Sequence, residues 1–126
     1  MASNSREEIL AHALDIIRGG GAISFDSVAQ SSGLSKPGLM YHFRTKEALM
    51  LGLVDHVADE WLREMDARLT SPFQSSTMRE RAGIYVEACV TREPDPADIV
   101  MLTDPRLRQE LTARWAERIS TWFVGL

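Results

Sequence analysis

The sequence predicts an all-α fold: an N-terminal three-helix head over residues 1–46, with a long fourth helix starting at Lys46 as the connector to a short helical part over residues 47–126. Three observations carry this. Apolar residues recur at steps of three and four along most of the chain, the spacing that lines one face of an α-helix. Most of these runs open on a Ser, Thr or Asp that can cap a helix and close on Gly, Ser or Pro punctuation. No stretch alternates with period two, and there is no internal repeat or low-complexity tract.

In chain order, Ser5 with Glu8 three residues on forms a capping box, in which side chains at both positions satisfy free backbone N–H groups. Behind it Ile9, Leu10, Ala13, Leu14, Ile16 and Ile17 keep helical spacing, and the glycines 19–21 end the first helix near Arg18. The stretch 24–46 then packs two helix starts and a glycine turn into few residues. Ser24 caps a short helix with Phe25, Val28 and Ala29 on one face, and Gly33 supplies the positive φ that a sharp reversal between crossing helices needs. Ser35 caps a third helix that tolerates Pro37 in its first turn, where the N–H groups have no intrahelical partner. Leu39, Met40 and Phe43 give this helix an inward side. Ser35, Lys36, Gly38, Tyr41 and His42 are left facing outward. The pattern is that of a helix-turn-helix.

Thr45 caps the fourth helix, expected to run to about Leu69 through Met50, Leu53, Val54, Val57, Trp61, Leu62 and Met65. At that extent it is roughly 36 Å long, too long for the head alone to bury, so its far half belongs to a second helical layer. After the polar break at 71–76, Thr77 and Glu80 form a second capping box for a fifth helix with a wide apolar face: Ile84, Tyr85, Ala88 and Cys89, with Val86 and Val90 nearby. Asp95 with Pro96 starts a short sixth helix, and Asp104 with Pro105 repeats the device for a seventh. There Leu107, Leu111, Trp115, Ile119 and Phe123 form an i, i+4 stripe.

Composition narrows the function. With 44% hydrophobic and 25% charged residues in 126, the chain is ordinary globular material with one or two small domains. The formal net charge of −4 argues against a generally basic nucleic-acid coat. The charge is uneven, however: residues 1–50 balance five basic (Arg6, Arg18, Lys36, Arg44, Lys46) against five acidic groups, and the remainder carries nine basic against thirteen acidic. A polyanion would therefore meet the first part. The single Cys89 allows no intrachain disulfide, which suits a reducing compartment. No run is long enough to span a membrane and no signal pattern opens the chain, so a cytoplasmic location is expected.

The motif F-x-x-V-A-x-x-S-G-L-S-K-P-G-L-M-Y-H-F-x-T-K-E-A-L, beginning at Phe25 and preceded by a capped helix, resembles the DNA-binding domain of the TetR family of bacterial transcriptional repressors. The likeness covers roughly residues 6–55, with Gly33, Ser35, Tyr41, Phe43, Lys46, Glu47 and Leu49 at the family's spacing. It implies operator DNA as partner, a homodimer, and a small-molecule effector bound in a divergent helical C-terminal part. Carried over by position, it places Ser35, Lys36, Pro37 and Gly38 at the start of the recognition helix against base edges or phosphates. It makes Tyr41, His42 and Lys46 phosphate contacts, with Ser24 and Thr45 beside them. A helix N-terminus that presents free N–H groups to phosphate agrees with this. Family members normally end with two further helices that pack as a four-helix dimer interface, and this chain is expected to be too short to contain both. Either that material is shortened or the dimer is built differently.

Other residues have plainer readings. His12 and His56 lack a second ligand at metal spacing, although His56 lies four residues before Glu60, and no metal or other cofactor is expected. Asp95, Asp98 and Asp104 read as helix-start acids. No nucleophile, base and orienting group occur together, so no enzyme and no catalytic residue are expected. Cys89 reads as a small buried hydrophobe. Trp61, Met65, Tyr85, Cys89, Met101 and Trp115 fall between the fourth to seventh helices, either as core or as the lining of an effector pocket. An alternative function is a protein-interaction module that exposes the seventh-helix stripe, with Trp115, Trp122 and Phe123, and binds DNA weakly or not at all.

Overall fold

The computed structural model describes residues 6–93, 95 and 104–124, and among them every regular element is helical. The α-helices are α1 (Arg6–Arg18), α2 (Phe25–Ser32), α3 (Lys36–His42), α4 (Lys46–Asp66), α5 (Met78–Thr91) and α6 (Arg108–Ser120), with 3-10 turns at Phe73–Ser75 and Thr121–Phe123. The predicted Ser5 cap, the sixth helix expected after Asp95, and with it Asp98 and Met101, lie outside the described residues.

The head closes through local signals. Gly20 takes φ 85°, and the amides of Gly19 and Gly21 return to Asp15 O and Ile16 O at 3.0 and 2.9 Å, using carbonyls that the end of α1 leaves free. Ser24 accepts from Ser27 N while Ser27 Oγ accepts from Ser24 N, both at 3.0 Å, a reciprocal cap for α2. Gly33 ends that helix at φ 76°. Ile9, Leu10, Ala13 and Leu14 of α1, Val28 of α2, Leu39, Phe43 and the α4 residues Leu49, Met50, Leu53, Val54 and Val57 then bury one another, with Phe25 packed at the margin. Met40, expected inside, is 38% exposed. In so short a helix Leu39 and Phe43, four apart, take the inward positions, and their neighbour is turned out.

The α4 helix spans 21 residues, about 31 Å. It stops at Asp66, three residues before the expected Leu69, because the following amides of Arg68 and Leu69 return to Met65 O and Asp66 O in tighter i→i−3 bonds. Its first half lies in the head core. Its far half supplies Met65 to a second core with Ile84, Ala88 and Trp122, ringed by Leu62, Leu69, Phe73, Tyr85 and Phe123. Thr77 caps α5 by accepting from Glu80 N at 3.1 Å, but the second half of the predicted capping box is not made: the Glu80 carboxylate instead holds Thr70 Oγ1 at 2.9 Å and Thr70 N at 3.3 Å. Only one face of α5 is covered, so Val86 and Val90 are 59% and 77% exposed, and Cys89 is exposed rather than buried.

Asp104 does not cap the last helix. Its Oδ1 accepts from Arg106 N at 3.0 Å in a turn of its own, and α6 begins only at Arg108, with Leu107 at the cap position. The α6 stripe is covered: Leu111 is fully buried in the head core with Leu107 and Trp115 packed against it, and Ile119 is buried. Trp122 is 2% exposed and donates to Arg81 O at 2.9 Å, so the exposed aromatic stripe of the alternative reading is absent. Along the α4–α6 seam Arg114 grips Asp55 with two bonds of 2.7 and 2.9 Å, a grip that raises the pKa of the guanidinium. One helix turn on, Arg118 pairs with Asp59, and Trp61 meets Trp115 edge to face at 5.8 Å.

The buried Arg81 closes the second core. Its guanidinium donates to Ser76 Oγ at 2.7 Å, Phe73 O at 2.5 Å and Val124 O at 2.7 Å, and stacks 3.7 Å from the Phe73 ring centroid. Charged donors make stronger hydrogen bonds than neutral ones, which lets a lone cation survive burial among carbonyls.

Candidate nucleic-acid interface

The outward edge of α3 is built by what its inward edge fixes. Leu39 and Phe43 are fully buried, so the residues between and before them are presented at a set angle. Tyr41 is 84% exposed, and His42, partly buried, meets it edge to face at 5.4 Å. Arg6 holds the end of the helix from behind: Nη1 donates to His42 O at 3.4 Å and the guanidinium lies 4.4 Å from the Phe43 ring centroid. The crossing of α4 over this point is close. A Cβ on Gly52 would stand 3.0 Å from Phe43 Cε1, 3.2 Å from Leu10 Cδ2 and 3.4 Å from Arg6 Nη2. In the sequence Arg6 is no more than one of the five cations of residues 1–50. Its place at the start of α1, opposite the end of α3, is visible only once the head is folded.

At the other end of α3, Ser35 Oγ accepts from Gly38 N at 3.1 Å. Pro37 has no N–H, so of the first three amides only that of Lys36 is left without an intrahelical or capping partner. The helix start thus offers less to a phosphate than an uncapped helix would. Gly38 has its own structural reason, because a Cβ there would lie 3.1 Å from Ser35 Oγ. Lys36 Nζ is 3.6 Å from Asp26 Oδ1, a pair exposed on both sides that bridges α2 and α3 across the turn. Ser24 and Thr45 both act as caps, Thr45 Oγ1 accepting from Ala48 N at 3.0 Å. Lys46 Nζ reaches Asp104 Oδ2 at 3.5 Å. Arg44, exposed between Phe43 and Thr45, has no ion pair among the described residues.

Five of the six expected pocket residues fall among the described residues. Met65 is buried in the second core, Trp61 and Trp115 pack on each other, Tyr85 meets Phe123 at 5.5 Å, Cys89 is exposed, and Met101 lies outside the described residues. Burial and the neighbouring Cys89 push the Tyr85 phenol above its ordinary pKa. Among the described residues an open groove of about 660 Å³ runs along the end of α4, with Leu62, Phe73 and Trp122 as apolar surface and Asp59, Arg63 and Asp66 as charges. His56 bridges Glu7 at 3.1 Å and Glu60 at 3.5 Å. Among the described residues no group of three or more His, Cys, Asp or Glu side chains is arranged to hold a metal ion, and no helix is long and apolar enough to cross a membrane.

A short, exposed helix seated on a buried Leu and Phe, reversed from its predecessor at a left-handed glycine and followed by a capped long helix, defines a helix-turn-helix DNA-binding head. Residues 9–53 match the family described as bacterial regulatory proteins, tetR family. Over those residues the chain carries the N-terminal helix-turn-helix domain of that family. No curated protein matches the chain.

Proposed function

We propose that the protein is a repressor that binds operator DNA as a homodimer through α3 and is released by a small-molecule effector. The single observation behind the DNA-contact set is the division of α3 into a buried edge, Leu39 and Phe43, and an outward edge that carries Tyr41 at 84% exposure. In this reading Ser35, Lys36, Pro37 and Gly38 face the major groove. Tyr41, His42 and Lys46 hold phosphates, with Ser24 and Thr45 at the flanking helix starts. These contacts orient the head, and with few cations per chain two heads are needed for useful affinity. Residues 1–46 act as the DNA-binding unit and residues 47–126 as the effector-binding and dimerising unit, in the cytoplasm.

The effector site in this reading is the groove at the end of α4, whose Leu62, Phe73 and Trp122 suit an apolar body and whose Asp59, Arg63 and Asp66 suit polar ends. A ligand that binds better to a displaced α4 shifts the population towards that state and changes the separation of two recognition helices, so both half-sites are lost together. Gel shift with the DNA upstream of its own coding region tests the repressor reading: no retardation by the full chain at low salt overturns it.

A second reading, a protein-interaction module, is favoured by the outer face of α5, where Met78, Val86 and Val90 are 47%, 59% and 77% exposed. Sedimentation separates the two: a clean monomer without DNA affinity favours the module, and a dimer that retards DNA opposes it.

A further inference from the structure

Lys46 is already occupied. Its ammonium lies 3.5 Å from Asp104 Oδ2, with the lysine side chain 44% exposed and the aspartate side chain only 8%. The carboxylate cannot swing away freely, because its other oxygen accepts from Arg106 N at 3.0 Å and closes the turn that precedes α6. The pair stands over a cavity of about 150 Å³ between the head and that turn, lined by Ile17, Ile23 and Met50 among others. Arg18, the last residue of α1, is tied in a similar way to Asp95 at 3.0 Å. Two of the five cations among residues 1–50 are thus matched to carboxylates from beyond α5.

We propose that Asp104 sets the DNA affinity of the head by competing with phosphate for Lys46. This rests on the DNA-binding reading above. One ammonium cannot serve both anions at full strength. When Lys46 turns to a phosphate, Asp104 is left facing a polyanion from a nearly buried position with the exposed Arg106 guanidinium, Nε 3.9 Å from Oδ1, as its remaining counterion, so the net counterion release for that contact falls. Removal of the Asp104 charge restores it. The effect is reciprocal: whatever holds Asp104 on Lys46 weakens DNA binding, and bound DNA loosens the 104–107 turn by the same factor. Since Leu107 and Leu111 follow directly and pack on the head core, the start of α6 is wired to a DNA-contacting cation without passing through the effector groove.

The test is a salt titration of binding by the full chain to a duplex of its own upstream DNA and to a mixed-sequence duplex, read by fluorescence anisotropy. Asn at position 104 keeps the acceptor for Arg106 N. Asp104→Asn is expected to bind both duplexes about 3- to 10-fold more tightly at low salt, with a log Kd against log salt slope steeper by up to about 0.9 per chain. Lys46→Ala is expected to bind more weakly, and Asp104→Asn added to it should bring no gain. Asp104→Ser, which also retains an acceptor, is expected to behave as Asp104→Asn does, and it stands in should the Asn variant unfold. Wild type that binds while the position-104 variants change neither affinity nor slope overturns this inference alone, as does an equal gain in the Lys46→Ala background. Failure of wild type and both position-104 variants to bind overturns the DNA-binding reading and this inference with it.

Discussion

Two glycines inside helices give opposite expectations for the same substitution, and the contrast tests how α3 is seated. Gly83 lies in α5 with nothing within 4 Å of a built Cβ. Gly83→Ala should therefore gain the full helix-propensity difference, about 0.5–1 kcal/mol. Gly52 receives the same gain, but its methyl must enter a space bounded by Phe43 Cε1 at 3.0 Å, Leu10 Cδ2 at 3.2 Å and Arg6 Nη2 at 3.4 Å. Phe43 and Leu10 are both buried, and the Phe43 ring is covered by the Arg6 guanidinium, so neither can give way into solvent. Overpacking of this kind costs about 1–3 kcal/mol, which exceeds the propensity gain. We expect Gly52→Ala to destabilise by about 1 kcal/mol net, roughly a 4 °C fall in Tm, against a rise of similar size for Gly83→Ala. Urea unfolding followed by far-UV circular dichroism measures both. Because Phe43 adjoins His42, DNA binding by Gly52→Ala should weaken by more than its stability loss explains. A Gly52→Ala variant as stable as Gly83→Ala would show that Phe43 moves freely and would refute the account of α4 clamping the end of α3.

Phe43→Ala should lose about 3–5 kcal/mol in the same assay, since it empties a fully buried aromatic site. Tyr41→Ala should stay within about 0.5 kcal/mol of wild type, its side chain being on the surface, yet weaken binding across DNA sequences. Lys36→Ala, whose partner Asp26 is solvent-exposed, should also fold normally and reduce the salt slope by about 1. Arg6→Ala should weaken binding with the slope unchanged, because it removes a support for His42 and Phe43 rather than a phosphate contact; a reduced slope would make Arg6 a direct contact instead.

The head was legible in the sequence because its determinants act within a few residues. Ser24, Ser35 and Thr45 each bond the amide three positions on, and Gly33 sits where its φ is needed. Signals that depend on a distant partner were not legible. Asp104 looks like a helix-start acid until Lys46 is brought to it, and Arg81 looks like a surface charge until Phe73, Ser76 and Val124 surround it. Met40 and Cys89 were placed by residue type, but a seven-residue helix and a helix covered on one side leave them outside. The same holds for a pocket expected from aromatic and Met side chains. These serve a core equally well, and the groove that the fold leaves open is bounded by Asp59, Arg63 and Asp66, which periodicity assigns to a solvated face.

The Arg81 clasp has a consequence for how the molecule opens. One guanidinium holds carbonyls from residues 73 and 124 and a hydroxyl from residue 76, and Trp122 returns a bond to its backbone. Releasing any one of these contacts weakens the hold on a buried charge, so the turn at Thr121–Phe123 should not open ahead of the core it closes. In native-state hydrogen exchange, the amides of Ser76, Arg81 and Val124 should share one opening free energy, the mark of a single cooperative unit assembled from sequence-distant parts.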